Sequence, residues 1–280
     1  MMKNLLQRTL TGIIFISVLI GSILWNQYSF GVVFAAISAL TLWEFHSLLN
    51  KNLPGVQVNR SLAVVGGVLL FACFFVRYEF LYAFNIPFSK VLGVYALFFI
   101  GTLIAELYRK KENPVMNWAI FALGQLYIAL PFALLNKLAF PENFRYENVL
   151  LLAFFIIIWI NDTGAYCTGM LLGKHRLFER ISPKKSWEGF IGGVVFSLAA
   201  AYLFHLFASQ AMLPTLWHWF GFSIIIVIFA TFGDLSESLF KRTIGVKDSG
   251  SILPGHGGVL DRFDSAIFSS VAVSIYLLFI

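Results

Sequence analysis

The chain has 280 residues, of which 59% are hydrophobic and only 12% charged, with a formal net charge of +6. Soluble domains carry about 25% charged residues, so the composition excludes an ordinary soluble enzyme and points to an integral membrane protein of mean hydropathy +0.82. The positive charge is dispersed among connectors, which argues against nucleic-acid binding and suits an anionic membrane surface and phosphate-bearing substrates.

At about 20 residues per span, nine apolar segments qualify, near 9–25, 28–49, 61–80, 89–108, 116–138, 149–171, 189–208, 215–233 and 264–280. The expected fold is all-α: a polytopic membrane protein forming a single domain over 1–280. Its N-terminal helices run to residue 148, and a second half from 149 carries loops at 172–188 and 234–263. The first segment lacks a small-residue cleavage site and reads as a helix rather than a leader. Cys73 and Cys167 lie inside separate apolar segments and read as buried thiols.

Orientation follows from the bases. The N-terminus and alternate connectors carry sixteen of the twenty Lys and Arg, and the opposite connectors hold only Arg77, Lys90, Lys137 and Arg145. The positive-inside rule then places the N-terminus and both long polar loops in the cytoplasm and the C-terminus outside. Trp43, Trp118, Trp187 and Trp219 sit near span ends, where interfacial aromatics are expected.

Ionisable residues within apolar segments carry more information. Glu44 and Glu106 lie near the ends of the second and fourth spans, where snorkelling to the cytoplasmic interface would satisfy them. The sixth span is expected to break at Asn161-Asp-Thr-Gly-Ala-Tyr166, leaving Asp162 in need of a partner, a cation or a wet cavity. In the loop that follows, Ser182-Pro-Lys-Lys-Ser-Trp-Glu-Gly189 opens the seventh span. There Lys184, Lys185 and Ser186 suit a phosphate chain at a helix N-terminus, and Glu188 suits the positive end of the dipole.

The most polar stretch is Thr231–Asp264, which holds five of the fourteen acidic residues. Asp234, Glu237, Ser238 and Lys241 recur at i, i+3, i+4 and i+7 and share one helical face. Asp261 and Asp264 pair at the start of the last span. Between them the Gly-rich Pro254-Gly-His-Gly-Gly258 allows close backbone approach. Carboxylates, bases and a glycine loop together suggest a metal–nucleotide site.

From Ser238 through Lys241-Arg242, Lys247-Asp248, Gly250, Leu253-Pro254, His256-Gly-Gly258 and Asp261-Arg262 to Asp264, the stretch resembles the signature of phosphatidate cytidylyltransferases (CDP-diacylglycerol synthases). Residues 161–166 and 182–189 are also similar to family motifs. The resemblance implies transfer of the cytidylyl group of CTP to phosphatidic acid, in a multi-pass protein of the cell's inner (plasma) membrane with its site facing the cytoplasm. It implies Mg²⁺, with a second cation possible, and a homodimer among membrane lipids.

Two anionic reactants must meet and a further anion must depart, so carboxylate-held cations are the central requirement. Asp234 and Asp261 are expected as the ligands, with Glu237 as a further ligand and Asp264 in support. Lys241, Arg242, Lys247 and Arg262 would neutralise phosphates, and Lys241 and Arg242 are counted with Asp234, Asp261 and Asp264 as catalytic. His256, Gly257 and Gly258 would shape the triphosphate pocket, with Asp162, Ser182, Lys184, Lys185 and Ser238 also on the substrate. A P-loop and the Asp-rich motif of CDP-alcohol phosphotransferases are both absent from the sequence. A CTP-dependent lipid kinase and an anion transporter remain the alternatives.

Overall fold

A computed structural model describes the chain except residues 1, 78–85, 142–144, 209–212, 251, 254 and 256, and describes residues 2–6 and 8 by backbone alone. His256 and the last residues of the third expected span therefore lie outside the described residues. Among the described residues the chain forms nine helices and one small sheet. The helices are α1 (Met2–Trp25), α2 (Gln27–Asn52), α3 (Arg60–Val76), α4 (Phe88–Leu107), α5 (Pro114–Ala139), α6 (Val149–Leu172), α7 (Trp187–Phe207), α8 (Leu216–Thr243) and α9 (Leu260–Tyr276). Strands β1 (Arg176–Phe178) and β2 (Ser182–Ser186) form an antiparallel hairpin between α6 and α7.

Six of the helices (α2 and α4–α8) are long and apolar enough to cross a membrane. With polar groups confined to connectors and helix faces, the chain is an all-α membrane protein. Helices dominate because each satisfies its own backbone donors and acceptors, which hydrocarbon cannot do. Large side chains such as Leu97, Leu171, Phe207 and Trp217 stand exposed on the surface, as lipid contact requires.

The fold divides into two compact units. The first contains α1–α4, α5 as far as Asn136, and the segment Ile244–Arg262. In it, Glu106 is 6% exposed rather than snorkelling. It accepts from Asn117 Nδ2 at 2.6 Å and pairs with Arg109 at 2.5 Å, closing the connection between α4 and α5. Glu44 is buried as well, because Ser249, Gly250, Gly258 and Leu260 lie against its carboxylate.

The second unit contains α6, the hairpin, α7, α8 and α9 from Phe263 onward. Here α6 runs unbroken through Asn161–Tyr166, contrary to the break read from the sequence. Thr163 and Thr168 return their hydroxyls to the carbonyls of Trp159 and Gly164 at 2.8 and 2.7 Å, and packing against α7 holds Gly164 in helical conformation. The contact is close because α7 offers glycine: a Cβ on Gly193 would overlap the Asn161 side chain. Small residues let membrane helices approach where no hydrophobic driving force exists between them. Helix α8 also outruns its expected span and carries 234–243 as helix rather than loop. Trp219 is core, not interfacial, at 2% exposure with its ring stacked on Phe204 at 5.7 Å.

Candidate active site

The site of the second unit begins where α8 and α9 touch. Three contacts run along the pair: Gly233 against Asp264, Ile226 O accepting from Ser269 Oγ at 3.2 Å, and His218 O accepting from Tyr276 Oη at 3.0 Å. Residue numbers fall on α8 as they rise on α9, so the helices are antiparallel. At Gly233 the backbones are so close that a Cβ would overlap the Asp264 carbonyl oxygen. This approach brings Asp264 beside the acidic face of α8.

Asp234, Glu237 and Asp264 each offer a carboxylate oxygen, and these atoms all lie within 4.8 Å of one another. Such crowding of like charge is costly without compensation. Lys185 Nζ reaches Asp234 Oδ2 at 2.5 Å, and Lys241 Nζ reaches the fully buried Glu237 at 2.5 Å from one turn away. Ser238 Oγ donates to Asp234 Oδ1 at 3.3 Å, and Ser265 N donates to Asp264 Oδ1 at 2.6 Å. Three hard oxygen donors from two helices fit a divalent cation.

Beside the cluster opens a cavity of about 490 Å³. Asp162, Asn161, Lys184, Lys185, Arg176 and Asp234 supply its polar wall, and Ala165, Met170, Leu177 and Phe190 an apolar one. Such lining accommodates an amphiphile with an anionic head. The hairpin brings the bases there through the register Arg176↔Ser186 and Phe178↔Ser182. Glu188 fixes the hairpin's base, accepting from Lys174 N at 3.0 Å and His175 Nδ1 at 2.6 Å. Ser186 caps α7 by accepting from Gly189 N at 3.1 Å, so a helix N-terminus adjoins the two lysines.

Nine residues singled out from the sequence for the site thus meet in this unit: Asp162, Lys184, Lys185, Ser186, Asp234, Glu237, Ser238, Lys241 and Asp264. Ser182 is half-buried at the far end of β2 and does not line the cavity. Arg242, Lys247 and Arg262 are exposed. Asp261 belongs to the first unit, where its carboxylate accepts from Ser249 N at 3.1 Å and Gly258 N at 2.8 Å. Gly257, in a left-handed conformation at φ +84°, turns the chain ahead of it. Arg176 and Tyr166 also line the cavity, and neither was assigned a role from the sequence. The alternation of Arg176-Leu-Phe178 ahead of Ser182-Pro-Lys-Lys-Ser186 was the available sign of a hairpin.

The sequence profile of the cytidylyltransferase family matches residues 6–280. A phosphatidate cytidylyltransferase of Staphylococcus aureus (strain COL) is 34% identical over 274 residues, covering 97% of this chain and 98% of that protein. One from Haemophilus influenzae is 32% identical over 272 residues, with 92% and 93% covered. One from Staphylococcus epidermidis is 39% identical over 189 residues, or 68% of this chain and 70% of that protein.

The α8–α9 contact makes a stability prediction. Gly233→Ala should cost about 1–3 kcal/mol through overpacking against backbone that cannot rotate away. Thermal unfolding of the purified protein in detergent should show the lower midpoint, and an unchanged midpoint would mean that the helices do not meet at Gly233.

Proposed function

Since the chain belongs to the cytidylyltransferase family, we propose that it joins phosphatidate to the cytidylyl group of CTP, releasing pyrophosphate and leaving CDP-diacylglycerol in the membrane. The observation that carries this reading is the lysine-balanced carboxylate cluster beside a cavity basic on one wall and apolar on the other. The lipid's phosphate monoester is largely ionised near pH 7, with its second pKa at about 6. One of its oxygens attacks the α-phosphorus of CTP, and the bond to the β-phosphate oxygen breaks with its electron pair leaving on pyrophosphate. No strong base is needed; the barrier is charge repulsion.

Asp234, Glu237 and Asp264 are the residues that would hold Mg²⁺, with Asp261 a further candidate one turn before Asp264. When bound, the ion neutralises the attacking, transferred and leaving oxygens. Lys184 and Lys185 take the phosphate chain at the start of α7, and Lys185 exchanges Asp234 for substrate. Arg176 supports them from the facing strand, and Asp162 orients groups at the polar wall. Arg242, Lys247 and Arg262, exposed on the segment around the glycine loop, are assigned to phosphate neutralisation, and Met170 and Phe190 to the lipid's apolar portion.

CTP labelled at either the α- or the γ-phosphate, supplied with phosphatidate vesicles and Mg²⁺, tests the chemistry. Label from the α-position should enter lipid. Entry of γ-label would make the protein a kinase, and entry of neither would favour transport. In the same assay Lys184→Ala and Lys185→Ala should each raise the CTP concentration for half-maximal rate about 10- to 150-fold, the equivalent of about 1.5–3 kcal/mol for a charge-assisted contact.

The base distribution supports nine spans with the N-terminus and the site in the cytoplasm. Cysteines introduced near residues 183 and 250 should react with an impermeant reagent only from the cytoplasmic face. Labelling of either from outside would overturn the orientation.

A further inference from the structure

Helix α2 contributes a carboxylate that the proposed chemistry does not use. Glu44 is 4% exposed, and its Oε2 accepts from Leu260 N at 2.9 Å and from Ser249 Oγ at 3.2 Å, across more than 200 residues of sequence. Its Oε1 has no hydrogen-bond partner among the described residues. The surroundings are shaped to the carboxylate: a Cβ on Gly250 or Gly258 would overlap it. A buried carboxylate is costly to keep unless its bonds secure something.

What it secures is the glycine loop. Ser249 opens the loop and Leu260 closes it as the first residue of α9, whose leading N–H groups have no partner within the helix. Glu44 caps that helix from another helix, at the positive end of its dipole. Ser249 also donates its own N–H to Asp261, and Gly258 N donates to the same carboxylate. The contacts pass from Glu44 to Ser249 to Asp261 entirely within the first unit.

We propose that Glu44 is the positioning residue of this reaction's glycine loop, docking its two ends, Ser249 and Leu260, on α2 and thereby fixing the direction of the Asp261 carboxylate. Glu44 touches no reactant and acts through the loop. Glu106 is its structural counterpart: also buried, but bonded to Asn117 and Arg109 on its own side of the fold.

The inference rests on the reading of the loop as part of the transfer site, so its test has two readouts. Glu44→Gln keeps an accepting oxygen at the same reach, whereas Glu44→Met keeps the length and accepts nothing. Glu44→Met should lower kcat about 10- to 100-fold, the usual effect of losing a partner that orients a site residue, while KM for CTP changes little. Glu44→Gln should restore most of the rate. Hydrogen exchange at the Ser249 and Leu260 amides should quicken in Glu44→Met and stay near wild type in Glu44→Gln and Glu106→Gln.

Unchanged loop exchange in Glu44→Met would overturn the docking. Faster exchange with full kcat would instead remove the loop from the reaction. If Glu44→Met does not fold, Glu44→Gln against Glu44→Asp decides, because Asp keeps the charge but falls one methylene short. Glu44→Gln should then be the more active, and the reverse order would overturn the proposal.

Discussion

The carboxylate cluster of the second unit depends on how closely α8 and α9 approach at Gly233. Without a side chain there, α9 at Asp264 lies against α8, and Asp264 is delivered beside Asp234 and Glu237. Three carboxylates at that separation repel one another, and the protein answers with lysines from two different elements. Lys241 comes from the same face of α8, one turn beyond Glu237, and Lys185 from the hairpin ahead of α7. A cation would replace the lysines at the carboxylates, and a phosphate chain would replace the carboxylates at the released ammonium groups. Binding would then exchange one set of charge pairs for another without stranding a buried charge.

The membrane setting decides how the second set of bases arrives. Lipid gives helices no hydrophobic reason to associate, so α6 and α7 meet through small residues. Their glycine contacts place Asp162 on one side of the cavity, and the hairpin joining them places Arg176, Lys184 and Lys185 on another. The loop docked by Glu44 follows the same economy, since Gly250 and Gly258 leave room for a carboxylate that a larger residue would displace.

Much of this was legible in the sequence, for physical reasons. Hydropathy located the helices because spanning length is set by bilayer thickness. The i, i+3, i+4, i+7 spacing placed Asp234, Glu237, Ser238 and Lys241 on one face because helical periodicity is fixed. Three features were not legible. The unbroken α6 was misread because Asn, Asp and Gly are poor helix formers alone, yet tertiary packing overrides propensity. Asp264 reads as support from sequence, and only the Gly233 contact raises it to a candidate ligand. Glu44 looked like a snorkelling residue because nothing local reveals that a loop more than 200 residues later closes over it.

The central claim is that Asp234, Glu237 and Asp264 hold a divalent cation, and Mn²⁺ used as a paramagnetic stand-in tests it directly. Titrated into nucleotide-free protein and followed by electron paramagnetic resonance, Mn²⁺ should bind wild type and be displaced by Mg²⁺. Asp234→Asn and Asp264→Asn should each weaken that binding at least about tenfold, as loss of an anionic ligand should, in protein that remains folded. Equal Mn²⁺ affinity in wild type and both variants would contradict the account.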